Sequence, residues 1–505
     1  MRTSSHAVLR FLVLALLALV LGAPVAACGS SAARGTGTST RTLVVGSTPV
    51  TQAIPPGFVG LSFGYKAFPL YAGTDPNAID PVFEQLIRNL APGQSPVLRV
   101  AGTDQAWWPI PHTRRPAGVN YTLTSGFLRV ARALARAVDA RLILGVNFEA
   151  DSARLAGVEG QALVDQIGSK WIDGLELGNE PELYAGYPWY VPPGGHGVYG
   201  RPRSWSFSDF VQDFATISRA LPRTVTLAGP AIGSLGWISR LGQFLAGNPR
   251  LGTVTLHRYP LKHCSATPET VAELLSSAST TGLAQSVAHD VVISHARHIP
   301  LRIGEMNSVS CGGMPGVSNS FASALWSLDA LFAMARVNVD GVNMQTARDS
   351  LNELFYISRV RGRWEAQVHP IYYGLMMFAQ AVPAGSRLLA LSGTAGTNVN
   401  AWAARAPDGE LHVVLINDDT HAHTVSVRIP GRGSSTAGPA TLTRLQATSV
   451  HAESGVTFGG ESFGSETDSG LLAGTPSTTS LTPAGDDYVI TLPEASAATL
   501  TLPAA

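Results

Sequence analysis

The sequence predicts an α/β fold, a (β/α)8 TIM barrel with an appended C-terminal β-sandwich domain. Eight short apolar runs alternate with amphipathic stretches, which is the pattern of repeated βα units. Beyond about Phe378 the pattern changes to alternating strands separated by turns. Glutamates follow two of the eight runs, at the end of the barrel where such folds carry their active sites. We therefore expect one large domain with a site at its strand ends and one smaller domain.

Composition limits the classes of partner. The chain has 505 residues, of which 45% are hydrophobic and 14% are charged. This composition is enough to bury a large core, and the length exceeds that of one typical domain. Lys plus Arg equals Asp plus Glu at 35 each, so nothing favours nucleic acid or an anionic membrane surface as a partner. We expect a neutral or weakly charged small molecule instead. The sequence does not predict an oligomeric state.

The N-terminus resembles an export signal. Basic residues precede an apolar run from Phe11 to Leu21, which is too short to span a membrane. Residues 1–28 end in a lipobox-like Val-Ala-Ala-Cys, so Cys28 is expected to carry a lipid, with residues 29–41 as a flexible tether. The alternative is an ordinary cleaved signal in which Cys28 is incidental. Either way we expect an exported protein. It is either a cell-envelope lipoprotein, linked to a membrane only by the lipid at Cys28, or a secreted protein.

The barrel is predicted over residues 58–377. After Thr124, apolar residues recur at helical spacing, which is typical of a capped amphipathic helix. The eight strands are expected near Val59–Phe63, Val97–Val100, Leu142–Val146, Gly174–Leu177, Val225–Ala228, Val254–His257, Leu301–Gly304 and Gly341–Met344. Eight such units are the number that closes a barrel.

The β-sandwich is predicted over residues 378–505. Alternating strands such as Leu411–Asn417 follow the turn signal Asp408-Gly409. A further strand within residues 42–57, before the barrel, is expected to join this sandwich.

Two glutamates carry the predicted chemistry. Glu180 ends the motif Glu-Leu-Gly-Asn-Glu after the fourth strand, and Glu305 ends the seventh. Strands four and seven lie on different sides of the barrel mouth, so both side chains can reach one ligand. Glycoside hydrolysis needs one carboxyl to protonate the leaving oxygen and another to attack the anomeric carbon or activate water. We expect Glu180 as the acid, with a raised pKa, and Glu305 as the nucleophile, with the carboxyls about 5 to 5.5 Å apart. The alternative is a structural ion pair.

Neighbouring polar residues have predicted supporting roles. Asn179 is expected to bind the sugar 2-hydroxyl, a contact that strengthens in the transition state; the alternative is an amide that satisfies backbone groups. Arg99 on the second strand is expected to point inward and pair with a catalytic-site carboxylate. His257 ends the sixth strand, where a structural role is as well supported as a chemical one.

These motifs resemble glycoside hydrolase family 79, the β-glucuronidase and heparanase-like group of clan A. The resemblance covers nearly the whole mature chain and is carried most specifically by residues 305–308, Gly312-Gly313 and residues 316–329. It implies that the N–H groups of Gly312 and Gly313, with Tyr356, hold the carboxylate of the sugar, and that Tyr259 orients the nucleophile. One departure is Phe63-Gly64 after the first strand, where family members often have a glutamate, which leaves the sugar's 4-position substituent open.

Two cysteines are expected to pair. Cys264 and Cys311 remain after Cys28 is set aside, and an even count in an exported chain favours a disulfide. They follow strands six and seven, so both lie in neighbouring loops at the same end of the barrel. The alternative is two buried thiols.

The predicted function is a retaining glycoside hydrolase that cleaves terminal β-linked glucuronic acid, with or without 4-O-methylation, from glycans or small glucuronides. A β-glycosidase acting on a neutral sugar and a non-catalytic carbohydrate-binding lipoprotein are the alternatives. Aromatic residues of the loop after Glu180 either form a leaving-group subsite or pack the loop itself. No metal-ligand spacing, phosphate loop or dinucleotide motif is present, so neither a metal nor a cofactor is expected.

Overall fold

The structure, a computed structural model, describes residues 41–102, 106–119, 121–264, 268–431 and 439–504. The predicted signal, the lipidation site Cys28 and all of the predicted tether except Arg41 lie outside these residues. No described helix is long and apolar enough to cross a membrane.

Eight parallel strands close into a barrel in chain order, with the eighth strand paired to the first. This confirms the predicted barrel. The fifth strand begins two residues later than predicted because Leu227, not Val225, is its first paired residue. The barrel strands are Val59–Phe63, Val97–Val100, Arg141–Val146, Ile172–Leu177, Leu227–Ile232, Leu251–Arg258, Leu301–Met306 and Gly341–Gln345.

Amphipathic helices surround the barrel and bury their apolar faces against it. Thr124 caps one of them by accepting a hydrogen bond from the Phe127 N–H at 3.2 Å. The α-helices are Phe68–Ala72, Pro81–Leu90, Ser125–Ala137, Ala153–Ile167, Phe207–Ser218, Leu235–Ile238, Leu241–Gly247, Val271–Leu274, Leu283–His295, Phe321–Arg336 and Pro370–Ala381. Short turns of other helix types cover Ser169–Trp171, Pro181–Leu183 and Ala278–Gly282.

Twelve strands of the described residues form the C-terminal sheet domain. The N-terminal strand Arg41–Pro49 belongs to it, since it pairs antiparallel with Arg387–Gly393 and parallel with His423–Arg428. Strands from both ends of the sheet share one apolar cluster, so the sheet packs as two layers. The remaining strands are Val399–Arg405, Leu411–Asn417, Ala440–Gln446, Thr457–Phe458, Glu461–Ser462, Ala473–Gly474, Thr478–Leu481, Asp487–Leu492 and Ser496–Leu502.

The boundary between the two domains lies later than predicted. Phe378 is inside the last barrel helix, Pro370–Ala381, and the sheet begins at Arg387. The helix is apolar throughout, so its hydrophobic pattern merges with that of the following strands. The buried helix Phe321–Arg336 packs against the sheet, where Phe332 stacks on Trp402 with ring centroids 5.5 Å apart.

Short paired segments shape the loops at the carboxyl ends of the barrel strands. One follows strand four, one joins the loops after strands six and seven, and one follows strand eight. Their bounds are Pro188–Tyr190 with Val198–Tyr199, Leu261–Lys262 with Val309–Ser310, and Phe355–Val360 with Arg363–Val368.

Candidate active site

Glu180 lies just beyond the fourth barrel strand in a left-handed conformation, with φ 47° and ψ 55°. This region of backbone space is uncommon for any residue but glycine and is costly unless neighbours fix it. Here the Glu180 N–H donates to the carbonyl of Ala231 on the fifth strand at 2.8 Å. The turn aims the carboxyl into the barrel mouth, where Oε1 lies 3.1 Å from Nδ1 of His257.

Glu305 is the penultimate residue of the seventh strand, and both of its carboxylate oxygens accept a hydrogen bond. The Tyr259 hydroxyl donates to Oε1 at 2.8 Å, and Nη1 of Arg99 donates to Oε2 at 3.1 Å. Burial, together with the charge of Glu305, raises the pKa of Tyr259, so this phenol remains a donor. The two donors fix the orientation of the carboxylate.

Arg99 is fully buried and hydrogen-bonds to several residues of the site. Its Nε donates to Glu176 at 2.6 Å, its Nη2 to Oδ1 of Asn179 at 2.7 Å, and its Nη1 to Ser62 at 3.1 Å. The Asn179 carbonyl oxygen is therefore occupied, which leaves its amide N–H groups as donors for a ligand. The predicted inward position of Arg99 thus has a specific consequence: one guanidinium orients both Asn179 and Glu305.

Glu180, His257 and Glu305 form one compact cluster. One carboxylate oxygen of Glu180, one of Glu305 and a ring nitrogen of His257 all lie within 4.8 Å of one another. Such a donor set can also hold a divalent metal. However, both oxygens of Glu305 already accept hydrogen bonds, one of them from a cation, so the arrangement suits proton transfer and nucleophilic attack better than metal binding.

The pKa of Glu180 is lowered, whereas the sequence argument expects it to be raised. Burial acts to raise the pKa of Glu180, but the hydrogen bond and charge of His257 outweigh it and lower the pKa. Burial acts to lower the pKa of His257, yet the charges of Glu305 and Glu180 raise it. The sequence argument counted only repulsion from Glu305, whereas the closest charged partner of Glu180 is the imidazole.

The predicted carboxylate-binding loop is built from left-handed backbone. Cys311, Gly312 and Gly313 have φ values of 61°, 90° and 88°, and neither glycine N–H donates a hydrogen bond to a described residue. A Cβ on Gly313 would lie 2.8 Å from the side chain of Leu351, so only glycine fits there. A disulfide joins Cys311 to Cys264 with Cα atoms 5.7 Å apart and links the loops after strands six and seven.

Tyr356 is the predicted site residue that the eighth strand's loop contributes. It belongs to the hairpin after strand eight, and the guanidinium of Arg348 stacks over its ring, 3.5 Å from the centroid. No described contact joins Tyr356 to Glu180, Glu305 or the glycine loop. Its assignment to the sugar carboxylate stays a prediction.

Some aromatic residues of the loop after Glu180 pack the loop, and others line a cavity, so its role as a leaving-group subsite stays a prediction. Tyr184 and Trp205 stack with centroids 6.1 Å apart and an interplanar angle of 8°, and they pack the loop against the barrel. Tyr187 and Trp189 instead line a cavity beside Glu180. Glu149, after the third strand, lines the same cavity and was missed in the sequence, because a single glutamate after a strand carries no motif.

Comparison with known proteins finds a family match for the C-terminal domain and relatives whose similarity extends over the barrel. Residues 401–499 match the model of the glycosyl hydrolase family 79 C-terminal beta domain. The chain is 27% identical to a beta-glucuronidase of Aspergillus niger, over 96% of this chain and 99% of that protein. It is 28% identical to heparanase of Bos taurus, over 40% of this chain and 37% of that protein.

Solved structures share the fold over nearly the whole chain. A 4-O-alpha-L-rhamnosyl-beta-D-glucuronidase from Fusarium oxysporum superposes with a TM-score of 0.70 at 20% identity, covering 91% of this chain and all of that one. An arabinofuranosidase of family 51 from Xanthomonas axonopodis has a TM-score of 0.62 at 14% identity, covering 92% and 99%. The matched C-terminal domain and the near end-to-end similarity to a beta-glucuronidase show that the chain is a glycoside hydrolase, and they support its resemblance to family 79.

Proposed function

We propose that the protein is a retaining β-glucuronidase that releases terminal β-linked glucuronic acid from glycans or small glucuronides. The observation that carries the proposal is the spacing of Glu180 and Glu305, whose nearest oxygens lie within 4.8 Å. Retaining glycosidases hold their carboxyls about 5 to 5.5 Å apart, and inverting enzymes about 6.5 to 9.5 Å, which leaves room for a water. The spacing supports direct attack by Glu305.

The preference for glucuronic acid is supported by two independent features. The relative from Aspergillus niger is named a beta-glucuronidase and matches nearly end to end. In addition, the N–H groups of Gly312 and Gly313 are available to accept an anion, because backbone donors in left-handed turns form a concave anion site. A carboxylate at carbon 5 of the sugar fits such a site through charge-assisted hydrogen bonds.

In the first step Glu305 attacks the anomeric carbon as the bond to the leaving oxygen breaks. Glu180 donates a proton to that oxygen, so the aglycone departs as a neutral alcohol. In the second step Glu180 takes a proton from water, whose oxygen attacks the same carbon and frees Glu305. Asn179 is placed to donate to the 2-hydroxyl through its amide, since its carbonyl oxygen is held by Arg99.

The proton that Glu180 donates is shared between Glu180 and His257. Because His257 has a raised pKa and Glu180 a lowered one, one proton is held between them on the imidazole side. It can pass to Glu180 across the 3.1 Å hydrogen bond as the leaving oxygen gains negative charge. His257 therefore positions the Glu180 carboxyl and supplies its proton, without contacting the substrate.

The test is hydrolysis of chromogenic β-glucuronide, β-glucoside and β-xyloside by the mature chain. The expected result is a preference for the glucuronide, and NMR of the first product should show the β-anomer. Glu305→Gln should abolish turnover. Glu180→Ala should keep the first step on an activated aryl substrate and recover rate with added azide, which replaces the water that needs a base.

Three outcomes would contradict the proposal. An α-anomer as first product would exclude the retaining mechanism. A preference for the glucoside or xyloside would leave Glu180 and Glu305 in place but remove the acid-binding role of Gly312 and Gly313. Sugar binding without turnover of any substrate would favour the carbohydrate-binding alternative.

A further inference from the structure

A cavity of about 230 Å³ opens beside Glu180, and Glu305 is not among the residues that line it. Its walls include Glu149, Asn179 and Glu180, together with Tyr187 and Trp189 of the loop after strand four. Pockets for drug-sized ligands have volumes of about 300 to 1,000 Å³, so this cavity has room for one ring and little more.

The position of the cavity decides which part of a substrate it can take. In a double displacement the nucleophile attacks one face of the anomeric carbon, and the leaving group departs toward the acid on the other face. Glu180 lines the cavity and Glu305 does not. A group that occupies it therefore lies on the departing side, where the aglycone sits.

Glu149 is held in this wall by its backbone and by the loop that covers it. Its carbonyl accepts a hydrogen bond from Arg201 at 3.3 Å, and a Cβ on Gly200 would lie only 2.2 Å from its Cγ. Arg201 also donates to the carbonyls of Phe148 and Gly200 and contacts Asp213 at 3.3 Å. The Arg201 guanidinium therefore hydrogen-bonds to backbone carbonyls and Asp213, and no described hydrogen bond joins it to the Glu149 carboxyl.

Two polar groups of the cavity wall have no partner among the described residues. The Glu149 side chain makes no hydrogen bond there although the residue is only 6% exposed. The Trp189 indole N–H is buried and has no acceptor. Polar groups in protein interiors usually have a hydrogen-bond partner, so these two groups favour a ligand that supplies one.

We propose that Glu149 is a specificity-determining residue of a leaving-group subsite that takes one neutral sugar ring, an inference that rests on the proposed function. A sugar offers hydroxyls as both donors and acceptors, which match a carboxyl and an indole N–H. Tyr187, 63% exposed at the rim, offers a face for the apolar side of the ring. A flat aryl aglycone without hydroxyls could stack on Tyr187 but offers Glu149 no hydrogen-bond donor.

The protonation of Glu149 suits this role. Burial raises its pKa to about 8, and the charge of Arg201 only partly offsets that effect. Below pH 8 the carboxyl therefore keeps its proton and can both donate to and accept from sugar hydroxyls.

The test compares two substrates in each variant: glucuronic acid β-linked to a neutral hexose, and p-nitrophenyl β-glucuronide. Glu149→Leu should lower kcat/KM for the disaccharide about ten times or more beyond any loss on the aryl substrate. Glu149→Gln, which keeps the shape and part of the hydrogen bonding, should show a smaller difference, and Trp189→Phe should shift the ratio in the same direction. Glu453→Gln, an exposed carboxyl of the sheet domain, is the matched control and should leave the ratio unchanged.

Binding provides a readout that does not depend on glucuronide turnover. Saturation-transfer NMR with free galactose, glucose and xylose should detect a sugar bound to the wild type and a weaker signal in Glu149→Leu. If the wild type cleaves neither substrate, the proposed function fails, and the NMR comparison alone decides the subsite. Equal losses on both substrates with the melting temperature preserved, an unchanged ratio in Glu149→Leu, or sugar binding that is independent of Glu149 would each overturn the inference.

Discussion

Nδ1 of His257 lies 3.1 Å from Oε1 of Glu180, and the pKa values of the two groups move in opposite directions. Interacting groups of this kind titrate as a pair, so the proton needed for catalysis is lost at a pKa that belongs to both. The basic limb of the rate profile should therefore follow the raised pKa of the imidazole, above its ordinary value of 6.5.

Replacing His257 with Gln should move the basic limb of kcat/KM to lower pH. In the variant the proton is held by Glu180 alone, and although burial raises the pKa of this carboxyl, the shift starts from an ordinary value of 4.5, below the 6.5 of the imidazole. The measurement is the pH dependence of kcat/KM for an aryl glucuronide between pH 4 and 9. A limb that stays in place would show that His257 does not share the proton. His451→Gln, at an exposed position of the sheet domain, controls for the loss of a histidine.

Replacing Tyr259 with Phe should lower kcat by roughly 10- to 100-fold with little change in KM. The phenol donates a 2.8 Å hydrogen bond to Glu305, and a bond to a charged group is worth about 1.5–3 kcal/mol. Without it the carboxylate can turn away from the line of attack. Steady-state kinetics and thermal melting distinguish the two effects, since a folding defect would lower the melting temperature as well. A wild-type kcat would contradict the orienting role.

Replacing Arg99 with Lys should reduce both stability and activity. Lysine keeps the charge but cannot present the guanidinium fork to Glu176, Asn179 and Glu305 at once. Losing two or more of these buried bonds should lower the free energy of unfolding by about 2–4 kcal/mol. Urea unfolding measures this cost, and Arg88→Lys on the surface should leave it nearly unchanged. Full activity in Arg99→Lys would show that the network does not orient the nucleophile.

The barrel could be predicted from the sequence because each of its strands is an apolar run placed between amphipathic helices. The positions of Glu180 and Glu305 could be predicted for a related reason: residues just after parallel strands meet at one end of a barrel. The domain boundary was placed inside a helix because Pro370–Ala381 is buried on all sides and lacks a polar face to mark it.

The electrostatics of the site could not be predicted in the same way. The direction of the Glu180 pKa depends on whether Glu305 or His257 is its nearer charged partner, which is a matter of side-chain geometry and not of spacing along the chain. Glu149 was missed for the same reason. Its burial comes from a loop around Gly200, some fifty residues later, that folds over it.

The contact between barrel and sheet predicts a pH dependence of stability. Asn400 donates to Asp329 at 3.2 Å and to Asp418 at 3.1 Å, so two carboxyls share one amide in a partly buried position. Burial raises the pKa of both, and for Asp418 the charge of Asp329 adds to the effect. In the unfolded chain each should titrate near 3.8.

Because these folded-state pKa values exceed the unfolded ones, the folded protein binds more protons between them. The stabilising contribution is complete below the unfolded pKa and is lost as pH rises toward the folded one. We therefore expect the free energy of unfolding to fall from about pH 4 upward more steeply in the wild type than in Asp418→Asn, which should be the more stable form at pH 8. Urea unfolding across this range, with exposed Asp468→Asn as control, measures the difference. Parallel curves for the wild type and Asp418→Asn would mean that folding does not raise the pKa of this carboxyl.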